Sequence, residues 1–346
     1  MKPQPDLRAD VGQLLVMGFE GIALTPALAA LIRELQPGGL IFFARNITTP
    51  RQTHALLREC RSLLATPPFL CVDMEGGTVD RLKHAVAPAP SAARVFAGGK
   101  RKLFREHGRL IGAECRAVGF NLDFAPCSDL AFEASSGVLG SRAVSSDPDQ
   151  VTTYVRAFLQ GLRDSDVLGC GKHFPGLGPA ALDSHHALPT ISKSLTELWA
   201  EDIAPYRALR RVFPFIMVAH ALYPQVVNDG LPASLSPEWI NGILRKRIGY
   251  RGLVISDDLE MAGATSVGSV AHAAVATLRA GGDLFLVSHQ EESVRESFAK
   301  VLIVAGRDDR FARHIAHSAA RVRAFKSRHV EVKRFPPPPA NAVIEK

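Results

Sequence analysis

The sequence predicts a single (β/α)8 barrel of the α/β class. Three observations carry this. Eight short apolar runs alternate with helical patterns over about 300 residues, which is the count for such a barrel. The runs are nearly continuous in apolar character, as strands buried on both faces of a parallel sheet are. Polar residues follow one run after another at its C-terminal end, where this architecture carries its site. A doubly wound open sheet is the structural alternative, but no Gly-x-Gly-x-x-Gly follows the first run, which counts against a dinucleotide fold.

The elements follow in order. Residues 13–19 form the first apolar run and are expected to be a strand. Thr25-Pro26, a capping residue followed by proline at the first helical position, opens a helix reaching Leu35. The second run is Gly39 to Ala44, and Thr49-Pro50 opens a helix reaching about Leu64. Phe69 to Asp73 is the third run, and a helix spans about Lys102 to Val118 before the fourth, Asn121 to Pro126. The remaining runs are Val167 to Cys170, Phe215 to His220, Leu253 to Ser256 and Leu284 to Val287. Helical patterns over Asp147–Asp164, Leu195–Arg211, Pro237–Arg247 and Val270–Ala280 separate them, and two more, Glu292–Val304 and Arg310–Phe325, follow. Residues 1–330 therefore read as one barrel domain, and 331–346, with four consecutive prolines, as an extended or disordered tail.

Composition narrows the partners. The chain has 346 residues, 47% hydrophobic and 22% charged, enough apolar material for a large core. No apolar run approaches 18 residues, so no membrane-spanning helix is expected. The N-terminus lacks a secretory signal pattern, and the five cysteines are scattered without a Cys-x-x-Cys pair. These features point to reduced thiols in a cytoplasmic protein. The net charge is +7, with much of the excess between Arg307 and Arg334 and few aromatics interleaved. It reads as a solvated helix face, and neither nucleic acid nor membrane is expected as a partner.

The chemistry concentrates in Lys172 to Pro189, a Gly- and Pro-broken loop that follows the fifth run and holds one lysine, three histidines and one aspartate. A carboxylate two residues from an imidazole, as Asp183 is from His185, can orient that ring and raise its basicity. At the other run ends stand Asp73 with Arg81, then Asp123, Arg142, His173, His220, Asp257-Asp258 and His289. Such a rim suits a polar, hydroxyl-rich ligand. Metal ligation by His173, His185, His220 and Asp257 is the competing chemistry, but no His-x-His ends the first run, so neither metal nor cofactor is expected. A strand-end aspartate as nucleophile with a loop-borne proton donor suits a retaining glycosidase, whose sugar Asp73, Arg81, Arg142 and Lys172 would hold by charge-assisted hydrogen bonds.

Two stretches, Ile243-Leu244-Arg245-Lys246-Arg247 and Gly252-Leu253-Val254-Ile255-Ser256-Asp257, resemble the active-site signature of family 3 glycoside hydrolases. Lys172-His173-Phe174-Pro175-Gly176 resembles the substrate-binding strand end of that family, and Asp183-Ser184-His185 the mark of its β-N-acetylglucosaminidase branch. The resemblance covers about residues 10–290 and implies a (β/α)8 barrel. It makes Asp257 the nucleophile, His185 the general acid/base and Asp183 its orienter. Asp73, Arg81, Arg142, Lys172 and His173 then bind the sugar. The group most like this chain comprises the single-domain cytoplasmic enzymes of bacterial cell-wall recycling. They release N-acetylglucosamine from 1,6-anhydro-N-acetylmuramic acid peptides, which implies a small carbohydrate substrate. A phosphorylase on the same substrates, a β-glucosidase and an idle sugar-binding barrel are the other functions this pattern admits. The chain departs from the family pattern at Met74, Thr78, Leu177 and Glu260, all outside the catalytic positions.

Overall fold

The computed structural model describes residues 6–178 and 188–339. Eight parallel strands close on themselves in sequence order: β1 (Leu15–Met17), β2 (Gly39–Phe42), β3 (Phe69–Val72), β4 (Leu122–Asp123), β5 (Leu168–Phe174), β6 (Phe215–Val218), β7 (Leu253–Asp258) and β8 (Leu284–Val287). Closure comes from β1 pairing with β8, Leu15 opposite Phe285 and Met17 opposite Val287. The strands are almost wholly buried because helices cover their outer face while their inner side chains fill the barrel. The expected fold class is therefore the observed one.

Sequence signals set the helix starts. Thr25 Oγ1 accepts the Leu28 amide at 3.1 Å and Thr49 Oγ1 the Gln52 amide at 3.1 Å, with proline next in each case. Gly119, at φ 110°, closes the helix Arg101–Val118 in a left-handed conformation that a side chain would strain.

Several boundaries differ from expectation. Gln13 and Leu14 belong to a helix, Leu7–Leu14, whose first turn is capped by Asp6 through the Ala9 amide, so the first strand is only Leu15–Met17. The fourth run keeps two ladder residues, Leu122 and Asp123, and Pro126 has no N–H to offer the ladder. The fifth strand runs on to Phe174, through the charged Lys172. The single helix expected over Leu195–Arg211 is two, Leu195–Ala200 and Ala204–Ala208, the second with Pro205 near its start. Residues Glu238–Arg247 wind as a π-helix. A hairpin, Met74–Gly76 with Val79–Asp80, and a short helix, Ala92–Ala97, went unread in the sequence.

The floor of the barrel is closed by the last helix, Asp309–His329. Phe325 meets Phe215 edge-on at 5.3 Å, and Phe215 meets Phe69 at 5.1 Å. The expected solvated basic face holds for Arg307, Arg310, Arg313, Arg328, Lys333 and Arg334, which are exposed, but three of its residues turn inward. Lys326 is wholly buried, donates to Gln13 Oε1 at 2.9 Å and lies 5.0 Å from the centre of the Phe69 ring. Arg323 pairs with buried Asp10 at 2.5 Å and Arg321 with buried Asp283 at 3.1 Å. In the tail, residues 334–339 carry no helix or strand, yet the Pro336 carbonyl accepts from His54 and the Phe335 ring packs on Gly119.

Candidate active site

A cavity of about 480 Å³ opens at the C-terminal ends of the strands. Strands β2, β5, β6, β7 and β8 line it together with Asp73 and Phe124, which directly follow β3 and β4, in keeping with the usual place of a barrel's site. Among the predicted residues, Asp73, Arg81, Arg142, Lys172, His173 and Asp257 all line it. Asp183 and His185, and the rival His186, lie outside the described residues.

The centre of the cavity is an interlocked ion network. Lys172, on β5, donates to Asp73 Oδ1 at 2.6 Å and meets Glu75 Oε1 at 2.7 Å. Arg142 grips the same Glu75 with two parallel bonds of 2.9 Å, the planar fork that suits a carboxylate. Burial alone would push the Glu75 carboxyl up, but Arg142 and Lys172 outweigh it and hold the group well below the usual carboxylate range. Asp73 is likewise held low, against burial, by Lys172 and Arg81. Conversely Asp73 and Glu75 keep Lys172 firmly protonated despite its burial. All of these groups are charged at neutral pH, and their geometry exists before any ligand arrives.

His173 stands beside this network. Its Nδ1–H donates to Asp129 Oδ2 at 2.7 Å, which leaves Nε2 as the acceptor facing Arg142 Nη2 at 3.4 Å. Asp129 also accepts the His173 amide at 3.1 Å and, through its other oxygen, the Leu177 amide at 2.8 Å. Tyr223 donates to the Gly176 carbonyl at 2.8 Å. Gly176 is at φ 129°, and a Cβ there would stand 2.6 Å from Asp202 Cβ, so only glycine fits. Asp202 pairs with Lys193 at 2.5 Å, beyond the far end of the loop. Both flanks of residues 179–187 are thus tied to the barrel.

Asp257 ends β7 half-buried, with Oδ1 accepting the Asp258 amide at 2.9 Å and the carboxylate at the cavity wall. His220 does not reach the cavity lining. It is buried behind β7, accepting from Ser234 Oγ at 2.6 Å and donating to the Asp258 carbonyl at 3.0 Å, and burial holds the ring neutral. It therefore braces the backbone that presents Asp257. Asp123 is buried too, accepting the Met74 amide at 2.9 Å, with its carboxyl pushed up by burial. Asp258 accepts the Ser288 hydroxyl and the His289 ring, at 3.1 Å for the latter.

Three contributors escaped the sequence reading. Glu75 sits in the hairpin after β3, and its only signal is a second carboxylate two residues beyond Asp73. Asp129 had no signal at all, because it acts on a histidine 44 residues away. Glu260 takes three successive amides, from Ser288 at 3.0 Å, His289 at 2.5 Å and Gln290 at 2.9 Å. At the mouth, Phe43 lies 4.6 Å from the Arg45 guanidinium, 5.7 Å from that of Arg81 and 5.6 Å from the His289 ring.

Among the described residues two groups have metal-ligand composition: Cys127, Asp129 and His173, and Asp258, Glu260 and His289. In both, the carboxylates are already engaged by protein donors. In the first, Asp129 Oδ2 receives Cys127 Sγ at 3.3 Å and the His173 ring. In the second, Glu260 is committed to backbone amides. Among the described residues no helix is long and apolar enough to cross a membrane.

Comparison with known proteins agrees with this geometry. The family described as glycosyl hydrolase family 3 N terminal domain matches residues 6–324. A β-hexosaminidase of Pseudomonas aeruginosa (strain LESB58) is 38% identical over 288 residues, 82% of this chain and 85% of that protein. One from Bordetella parapertussis is 37% identical over 322 residues, 91% of this chain and 88% of that protein. A family 3 β-N-acetylglucosaminidase from Paenibacillus sp. FPU-7 superposes with a TM-score of 0.91 at 34% identity, over 96% of this chain and 64% of that one. NagZ from Neisseria gonorrhoeae, solved with N-trifluoroacetyl-D-glucosamine, gives 0.74 at 29% identity, over 90% of this chain and 98% of that one. This chain belongs to glycosyl hydrolase family 3 and is an enzyme of its β-N-acetylhexosaminidase type.

Proposed function

We propose that the chain is a retaining hydrolase that releases β-linked N-acetylglucosamine from cell-wall muropeptides of the N-acetylglucosaminyl-1,6-anhydro-N-acetylmuramic acid type, through a glycosyl-aspartate at Asp257. The observation that carries this reading is the pairing of Asp257 with the network opposite it. One carboxylate stands at the cavity wall, its Oδ1 fixed by a backbone amide, while Asp73, Arg142, Lys172 and His173 line the same cavity. Charge-assisted donors and acceptors on one side can fix a sugar's hydroxyl and amide substituents so that its anomeric carbon meets a carboxylate on the other. The neighbouring structure with a bound N-acylated glucosamine supports a ring of that class. Five buried, unpaired cysteines support a reducing compartment, the cytoplasm.

Asp257 attacks the anomeric carbon and inverts it, and water inverts it again on release. In this reading His185 protonates the departing oxygen and then activates the water, with Asp183 orienting its ring. Incubation with a 2-fluoro sugar and peptide mapping should place the label on Asp257, and the first product seen by NMR should keep the β configuration. A label elsewhere or an α first product rejects the assignment. For His185→Ala, kcat/KM should fall by about 10²–10⁴-fold on poor leaving groups and far less on nitrophenyl ones. Equal losses on both, or the same pattern for His186→Ala, reject His185 as the donor. Release of N-acetylglucosamine 1-phosphate in phosphate buffer would replace the hydrolase with a phosphorylase.

A further inference from the structure

A second cavity is larger than the catalytic one. It lies at the opposite end of the barrel, beneath the N-terminal ends of β5, β6 and β7, with a volume of about 1170 Å³ and no lining residue in common with the site above. Six arginines surround it: Arg156, Arg163, Arg210, Arg211, Arg251 and Arg328. Among the described residues the one carboxylate in its lining, Asp166, is already paired with Lys333. Six uncompensated positive charges therefore face one groove in a chain whose net charge is +7.

Helix dipoles account for part of this. Arg163 and Arg328 stand in the last turns of their helices, where a cation is favourable. They do not account for Arg156, two turns further up its helix, or for Arg211 and Arg251, which lie outside regular helices and strands. None of the six arginines forms an ion pair among the described residues. Gathering like charges destabilises a compact chain unless an anion neutralises them. Guanidinium forks match phosphate oxygens in pairs, and several forks around one groove match more than one phosphate. The floor between them is apolar: Phe213 and Phe325 underlie it, and Val332 stands 65% exposed at its edge. The His329 ring lies 4.4 Å from that of Phe325 and offers a planar face to the groove.

We propose that this groove is a second binding site, for a small ligand that carries a di- or triphosphate on an apolar or aromatic body. The phosphates lie among the arginines and the body lies on the Phe213, Val332 and His329 floor. This site is independent of the reading given to the catalytic cavity, and its test does not use turnover.

The test is calorimetric titration of the intact chain at about 150 mM salt with ADP, with inorganic pyrophosphate and with a single-stranded RNA 10-mer as separate probes. ADP and pyrophosphate should each bind at one site, ADP more tightly. Arg211→Glu with Arg251→Glu should weaken both by at least about tenfold, as loss of charge-assisted bonds implies, while the unfolding temperature and hexosaminidase activity stay unchanged. Arg156→Gln, on an exposed helix face, should weaken them in the same direction and serves if the double variant does not fold. No binding of either phosphate at millimolar concentration overturns the proposal, as does binding unaffected by these substitutions or competed by N-acetylglucosamine. ADP binding no tighter than pyrophosphate overturns the role of the apolar floor. RNA binding without ADP binding replaces the small ligand with an extended polyanion.

Discussion

The two ends of this barrel handle buried charge in opposite ways. At the C-terminal rim, Lys172, Arg142, Asp73 and Glu75 enter the interior together, each held by a partner of opposite sign at 2.6–2.9 Å. At the floor, Lys326 enters alone, with an uncharged amide and an aromatic face for company. Burial at the rim is outweighed by attraction and the groups stay ionised. Burial at the floor prevails and pushes the lysine down to about 7. What decides the charge state is the company a group keeps when it leaves water, and how deeply it is buried comes second. The rim can therefore present fixed buried charges to a ligand, and Lys326 at the floor cannot.

The largest effect should come from removing Asp257, a rim carboxylate that faces the cavity with no cation within ion-pairing distance among the described residues. Asp257→Ala should lower kcat by about 10⁴-fold or more while leaving the unfolding temperature within a degree or two, because only a reacting group is lost. Full activity would move the reacting carboxylate elsewhere on the rim.

Next in size is Glu75→Gln, which breaks the rim from inside. Lys172 would then keep only Asp73, and Arg142 would lose its carboxylate partner; loss of one partner of a buried pair costs about 3–5 kcal/mol by urea unfolding. The acid side sharpens the test. A carboxyl held below its ordinary 4.5 contributes stability that is complete above that pH and is lost as pH falls toward the lower folded value. The variant's unfolding curve should flatten in that window, and a parallel curve would show that the network is not what titrates.

Asp129→Asn asks whether orientation alone matters. The amide can no longer enforce the Nδ1–H form of His173, so kcat/KM should drop by about 10–100-fold, chiefly through KM, with the ion network intact. An unchanged KM would make Asp129 a purely structural anchor for Leu177.

The smallest effect is a gain. Lys326→Met removes a buried amine that has no carboxylate partner among the described residues, and Gln13 keeps a donor in Thr66 Oγ1 at 3.2 Å. Between pH 7 and 10.5 the unfolded chain holds a proton on Lys326 that the folded chain has released, so this group makes stability rise with pH across that window. The variant should be more stable than the parent at pH 7, by up to about 1–4 kcal/mol, with the gap closing toward pH 10. A gap constant with pH would mean that Lys326 stays charged.

The strands were readable because burial on both faces leaves an unbroken apolar run, as in Leu284–Val287, and the helices because Thr25-Pro26 and Thr49-Pro50 mark their starts. Strand ends led directly to Asp73, Lys172, His173 and Asp257, since a barrel collects such ends on one rim. What escaped depends on pairings through space. Asp129 matters only once β4 and β5 lie side by side, and Glu260 only once β7 and β8 do. The floor groove draws Arg156, Arg211 and Arg328 from three distant segments, and no local pattern marks any of them as special. The helix Leu7–Leu14 was lost for a local reason: its last residue, Leu14, runs without a break into the apolar strand Leu15–Met17.

The three amides that Glu260 satisfies have a further consequence. Successive N–H groups entering the helix Glu291–Ala305 form the kind of concavity in which barrels often seat a phosphate group. Here the chain has supplied its own anion, covalently tethered and therefore present at very high effective concentration. An oxyanion arriving from solvent must evict a resident that never diffuses away. Water faces no such competitor, and for an enzyme that must choose between the two as the second attacking group, a seat filled from within is a form of selection.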